Sequence, residues 1–195
     1  YKGGDAGECK NYRPISLLVT GYKLLAHVLL ARLKAAGAES RIWQSQSGFK
    51  SGRGTTDALF AVRRIMEAAT EVRGGSLLCL ALDWSKAFGT VNPTALMAAL
   101  RRFGLPEAFV AMIEGVYSDR RFQVSDNGQD STWRKQAAGI CQGCPLSPFL
   151  FSIVMTVLLS DATFAVENRF GGSKEPWLIA RDLLYADDTL ILETD

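Results

Sequence analysis

The chain has a single histidine and only four cysteines among its 195 residues, so soft metal ligands are scarce. Cys141 and Cys144 have the spacing of half a zinc site. Such a site needs a second pair of Cys or His ligands, and the lone His27 falls inside an apolar helical pattern. The thiols therefore read as free, in a reducing compartment. No convincing Ser-His-Asp or Cys-His set is present. No apolar run is long enough to cross a bilayer as a helix; the longest, residues 149–159, is short and interrupted by Ser152 and Thr156. A basic start followed by an apolar block, the mark of a secretory signal, is missing, as are repeats, low-complexity tracts and linkers. Neither sign of charge dominates, with 22 Lys and Arg against 20 Asp and Glu for a net charge of +2. That balance leaves nucleic acid open as a partner, because a binder need be basic on one face only. The chain starts at Tyr1 rather than Met and stops at Asp195 just after an apolar run, so a fragment of a longer polypeptide is expected.

What is present is ordinary for a core-forming protein: 48% hydrophobic and 22% charged residues. The length suits one domain or a compact pair of subdomains. Residues 1–13 are Gly-rich, polar and irregular. Leu24, Leu25, Val28, Leu29 and Leu33 recur at helical spacing and predict a helix over 20–36, with Gly37 as its stop. A Gly-containing loop follows over 46–54. Thr55 can cap a second helix with the apolar face Leu59, Val62, Ile65, Met66 and Ala69, ended by Gly74 and Gly75. The run Leu77-Leu78-Cys79-Leu80-Ala81-Leu82 reads as a strand buried on both faces. Helices are expected over 93–103 and 106–117, then a β-hairpin whose arms 122–124 and 132–136 flank Asp126-Asn127-Gly128. A helix from 147 to about 166 comes next. A second hairpin, with arms 183–185 and 189–192, carries Ala186-Asp187-Asp188 at its tip. The expected class is α+β: a small antiparallel sheet carrying acids, backed by helices.

Two adjacent carboxylates repel each other, and a bare Asp-Asp pair is most simply a polar turn. Here the flanks are strongly apolar, so Asp187 and Asp188 must surface from a buried hairpin. Asp83 stands at the end of another apolar strand. If the two elements are neighbours in one sheet, three carboxylates converge. Such a set suits Mg²⁺, a hard ion that takes oxygen ligands and completes its shell with water and substrate phosphates. Two such ions can clamp an in-line phosphoryl displacement, which is the chemistry of nucleotide addition to a 3′-hydroxyl. Further along, Gly143 permits close backbone approach. Ser147 can cap the next helix with Pro148 at its first position, and Gln142 offers an amide to a ligand over this loop.

Asp83-Trp-Ser-Lys-Ala-Phe88, Gln142-Gly-Cys-Pro-Leu-Ser-Pro148 and Tyr185-Ala-Asp-Asp188 resemble reverse transcriptase motifs A, B and C, in that order. Upstream, Asn11-Tyr-Arg-Pro-Ile-Ser-Leu-Leu18 and Gln46-Ser-Gly-Phe-Lys-Ser-Gly-Arg53 resemble the fingers motifs of LINE-type, or non-LTR, retrotransposon enzymes. Group II intron reverse transcriptases look like more distant relatives. The resemblance spans nearly the whole chain. It implies the fingers and palm of a right-hand polymerase, with fingers over 1–75 and palm over 76–195, the palm ending after the Tyr-Ala-Asp-Asp turn.

The resemblance implies a role for each matched residue. Asp83 and Asp187 would ligate two Mg²⁺ ions, which Mn²⁺ could replace; Asp188 would complete the cluster, and the Trp84 carbonyl would add a ligand. Phe88 matches the aromatic gate that packs under the sugar and disfavours a 2′-hydroxyl. Gln142 and Gly143 would lie against the incoming nucleotide, and Arg13 would meet its triphosphate, where a guanidinium can bind bidentately. Lys50 and Arg53 would contact template or phosphate, and Tyr185 would pack near the primer end. Plain core packing for Phe88 and solvated loop charge for Lys50 and Arg53 are the alternatives.

The resemblance implies an RNA-directed DNA polymerase of a LINE-like element. Its partners would be an RNA template, a DNA primer, deoxynucleoside triphosphates and the element's own RNA in a nuclear or cytoplasmic ribonucleoprotein, with no membrane. Gly89 departs from the family's Asp, Pro93 stands where His is frequent, and Cys141 where many relatives are basic. Primer grip, thumb and endonuclease are outside the sequence. One alternative is an RNA-directed RNA polymerase, against which Ala186 and Phe88 argue. The other is a degenerate, non-catalytic copy that at most binds nucleic acid.

Overall fold

A computed structural model describes residues 3–5, 7–12, 15–72, 75–126, 128–170 and 182–194. Its helices are α1 (Thr20–Ala35), α2 (Thr55–Glu71), α3 (Ala87–Thr90), α4 (Pro93–Arg102), α5 (Glu107–Tyr117) and α6 (Ser147–Phe170). Its strands are β1 (Leu77–Leu82), β2 (Arg121–Phe122), β3 (Ser125–Asp126), β4 (Gln129–Asp130), β5 (Arg134–Lys135), β6 (Asp182–Tyr185) and β7 (Asp188–Thr194). The α+β class is as expected.

The principal sheet has the order β1-β7-β6, with both pairings antiparallel. The main core lies on one side of it. Leu29 and Leu33 of α1, Leu96 and Leu100 of α4, Val110 and Ile113 of α5, and Leu150 and Ile153 of α6 meet there with Leu184 of β6. A smaller cluster on the other side joins Ile65 of α2 to Leu183 and Leu192. Neighbouring strand residues point to opposite faces, so Leu183 and Leu184 send β6 into both cores.

β1 departs from the doubly buried strand predicted for it. It is an edge strand, and Leu78 and Leu80 are 66% and 56% exposed. Its apolar run is continuous, but only its end residues Leu77 and Leu82 are partly covered. The stripe predicted for α1 is also rotated. The buried line is Ala26, Leu29 and Leu33, while Leu24, Leu25 and Val28 face outward. Likewise α2 buries Ile65 and Ala69 and leaves Leu59 and Met66 exposed. Near-continuous apolar sequence supports several stripes at helical spacing, and tertiary packing chooses among them.

Helix ends follow local chemistry. The Asn92 side chain accepts from the Thr94 and Ala95 N–H groups at 2.8 and 3.2 Å, with Pro93 at the first position of α4. Gly54, not Thr55, precedes α2, and the Asp57 carboxylate accepts from its N–H at 2.7 Å. Ser147 is the first residue of α6 rather than a cap outside it, and it is buried. Gly37 ends α1 at φ 74°. Gly74 and Asn127, named as turn residues, lie outside the described residues. Two short antiparallel ladders, β2 with β5 and β3 with β4, make the expected hairpin.

By length and composition α6 reaches what a membrane span requires, which the run 149–159 alone did not. Its small and hydroxylated residues extend the helix without breaking its apolar character. Its buried Phe149, Leu150, Phe151 and Ile153 form the centre of the main core, as expected of a core helix.

Candidate active site

The acids meet through strand register. Leu82 pairs with Thr189 on β7, so the next step sets Asp83 across from Asp188. Tyr185 pairs with Asp188 from the other side. Asp83, Tyr185 and Asp188 line one hollow with Ala58 at the start of α2. Asp188 thus belongs to a strand, not to the hairpin tip as predicted; the turn is only Ala186-Asp187, because the tight register already pairs Tyr185 with Asp188. Asp187 adjoins the hollow without lining it. Among the described residues, no three His, Cys, Asp or Glu side chains stand close enough to enclose an ion.

The turn is braced from both sides. Ala186 is buried and has φ 59°, a conformation rare for residues other than Gly, Asn and Asp. The Gln46 Oε1 accepts from the Ala186 N–H at 2.9 Å and from the Gly48 N–H at 2.8 Å, and its Nε2 donates to the Ala186 carbonyl at 3.1 Å. Segment 45–47 runs along β6: the Ser47 N–H donates to the Leu184 carbonyl at 2.8 Å and the Leu184 N–H to the Ser45 carbonyl at 3.3 Å. Gly48 is required here, since a Cβ would stand 2.3 Å from the Ala186 nitrogen. On the far side, the Trp84 indole donates to Thr189 Oγ1 at 3.1 Å, and the Thr189 hydroxyl donates to the Asp187 carbonyl at 3.3 Å. The Trp84 carbonyl accepts from the Ala87 N–H at 3.2 Å, leaving it one further lone pair.

Phe88 lies in an aromatic stack. Its ring is parallel to Phe151 at 4.4 Å and meets Phe49 edge-on at 6.1 Å. It is packed but only partly buried. Gln142 and Gly143 do not line the acidic hollow. Their backbone is met by the N-terminal segment: the Gln142 carbonyl accepts from the Ser16 N–H at 2.8 Å, and a Cβ on Gly143 would stand 2.5 Å from the Ser16 oxygen. Close approach at Gly143 was expected, but the group that approaches is protein backbone.

The loop after Gly48 carries the basic candidates. Arg53 donates to the Gln44 carbonyl at 2.7 Å and is exposed. Partial burial, reinforced by Arg53 nearby, lowers the Lys50 ammonium from its ordinary range. The Ser51 backbone N–H holds the Glu39 carboxyl below its ordinary range against the opposing effect of burial, with help from the Ser51 hydroxyl. Arg13 lies outside the described residues. Sequence reading missed Gln46, Gly48 and Thr189. Gln46 and Gly48 stood in the fingers-like motif without a role of their own, and no local pattern marks Thr189.

A sequence model of the reverse transcriptase (RNA-dependent DNA polymerase) family matches residues 2–195. A Xenopus laevis protein described as the transposon TX1 uncharacterized 149 kDa protein is 33% identical over 100% of this chain and 14% of its own length. The Pol polyprotein of a type-1 retrotransposable element R2 from Popillia japonica is 33% identical over 98% of this chain and 26% of its own. The RNA-directed DNA polymerase from the Drosophila melanogaster mobile element jockey is 29% identical over 97% and 20%. The chain thus spans about a quarter or less of these relatives. Among solved structures, telomerase from Candida tropicalis, in complex with a fragment of telomeric RNA, superposes with a TM-score of 0.58 at 14% identity, covering 89% of this chain and 29% of that one. That likeness is one of fold.

Proposed function

Since this chain belongs to the reverse transcriptase (RNA-dependent DNA polymerase) family, we propose that it carries the catalytic acids of an RNA-directed DNA polymerase from a LINE-like element. In this reading residues 1–75 are fingers and 76–195 palm. The observation that carries it is the pairing of β1 with β7, which turns Asp83 and Asp188 into one hollow with Asp187 in the adjoining turn. The donors are all oxygens, the set a hard divalent ion prefers. Mg²⁺ is typically bound through one or two carboxylates plus substrate phosphates rather than by an all-protein cage, so an open arrangement suits it.

Asp83, Asp187, Asp188 and the free lone pair of the Trp84 carbonyl would hold two Mg²⁺ ions, with Mn²⁺ as a substitute. Bound there, the ions would supply charge stabilisation for the attacking and leaving oxygens of nucleotide addition. The chain's own contribution is placement. Tyr185 offers a ring beside the acids for the primer end, and Phe88, stiffened by Phe151, offers a flat surface against the deoxyribose. Gln142 and Gly143 would border the incoming nucleotide, Arg13 would meet its triphosphate, and Lys50 and Arg53 would draw phosphate toward the loop above the turn. The substrates would be an RNA template, a DNA primer and deoxynucleoside triphosphates, with the element's own RNA as the intracellular partner.

Primer extension on an RNA template–DNA primer with Mg²⁺ and deoxynucleotides tests this. Extension that disappears with Asp187→Asn is the expected result. Extension that survives Asp83→Asn and Asp187→Asn together would overturn the assignment. Extension only after Gly89→Asp would favour the degenerate copy.

A further inference from the structure

Gln46 is 1% exposed, the only Asn or Gln among the buried described residues. Its amide closes on both polar groups of Ala186 and on the Gly48 N–H. Only one amide orientation is satisfied there: turned over, the NH₂ group would face two N–H donors. A residue in the left-handed region persists when its surroundings over-determine it, and at Ala186 the surroundings are this amide and the backbone of Gly48. The carbonyl that Gln46 holds belongs to the peptide from which Asp187 hangs, and Asp188 is next in the chain.

We infer that Gln46 is a positioning residue: it locks the Ala186 peptide and thereby sets where Asp187 and Asp188 project. A residue 140 positions upstream in sequence, within a loop expected to touch template, would then act on the acids through the backbone of the turn. The inference rests on the reading of these acids as metal ligands.

The test uses this chain with Mn²⁺ alone as the probe. Gln46→Met roughly keeps the volume and removes all three hydrogen bonds; Gln46→Glu keeps the acceptor facing the two N–H groups. In Gln46→Met the Ala186 amide should exchange about tenfold faster or more while α6 amides keep their protection. Its Mn²⁺ affinity should fall by about tenfold or more, since about 1.4 kcal/mol of misplacement suffices. Gln46→Glu, which keeps the acceptor but puts an oxygen against the Ala186 carbonyl, should restore part of the Ala186 protection, more at a pH low enough to protonate it. Unchanged Ala186 exchange in Gln46→Met would sink the inference, as would faster exchange with Mn²⁺ affinity unaltered. Should Gln46→Met not fold, the wild-type chain decides: an Ala186 amide exchanging at the free-chain rate overturns the clasp, and a protected one supports it. Asp188→Asn separates the two readings. If wild-type Mn²⁺ binding is not weakened by it, the metal assignment fails, and Ala186 exchange still decides the role of Gln46.

Discussion

At the residue scale, the site depends on groups that gain their meaning from neighbours far away in sequence. Phe88 is clamped between Phe49 and Phe151, so its ring position is not its own to choose. If it faces the sugar, Phe88→Val should raise ribonucleotide incorporation by roughly tenfold or more in single-nucleotide extension, a contact-sized difference in selectivity. Phe151→Leu should do so to a lesser degree. Gly89 presents the opposite case: a Cβ there meets only the Lys86 Cβ, at 4.0 Å, and its φ is not left-handed. Gly89→Asp should therefore fold normally and gain up to about 1 kcal/mol in a urea titration from reduced unfolded-chain freedom. That Asp83 and Asp188 come together was legible, because each stands beside an apolar strand of one small sheet. Gln46 and Thr189 were not, because what defines them is contact with a turn that no local pattern connects to them.

At the scale of elements, periodicity located α1, α2, α4, α5 and α6 and both hairpins. It was mistaken about faces, because a stripe of leucines says that a helix is amphipathic but not which neighbour arrives. α6 centres the main core, and its Leu150 is fully buried. Leu150→Ala should cost about 2–5 kcal/mol, read as a lowered urea midpoint. β1 gives the contrary prediction. Leu80→Lys, on the open face of an edge strand, should change stability by only about 0.5 kcal/mol in either direction; a strand covered on both faces would lose several times that. The short helix α3 went unpredicted because it is a single turn between Lys86, at φ 53°, and Val91, too brief to show a period.

For the molecule as a whole, stability should fall in alkali. Burial pushes the Tyr117 phenol up to about 12 from 10.0. Burial, aided by a hydrogen bond with Cys144, pushes Tyr22 further still. Both phenols are neutral below pH 10 whether or not the chain is folded. Above it the unfolded chain ionises first, so their contribution is lost as pH rises through the folded values. Melting temperatures should drop between pH 10 and about 12, tracking the tyrosinate absorbance, and Tyr117→Phe should flatten that drop. The overall plan was legible because its acids, glycines and apolar runs recur in a known order. The closure of the 45–49 loop onto β6 was not, since it depends on a glycine-to-backbone contact that composition does not encode.

The four free thiols divide evenly: Cys9 and Cys79 are exposed, Cys141 and Cys144 buried. The two buried ones flank Gln142-Gly143, the loop whose Gln142 carbonyl accepts from the Ser16 N–H, and belong to the main core. A thiol reagent should therefore label the intact chain at two positions and the denatured chain at four. The rate at which the last two yield becomes a clock for opening of the main core, readable without any nucleotide or template.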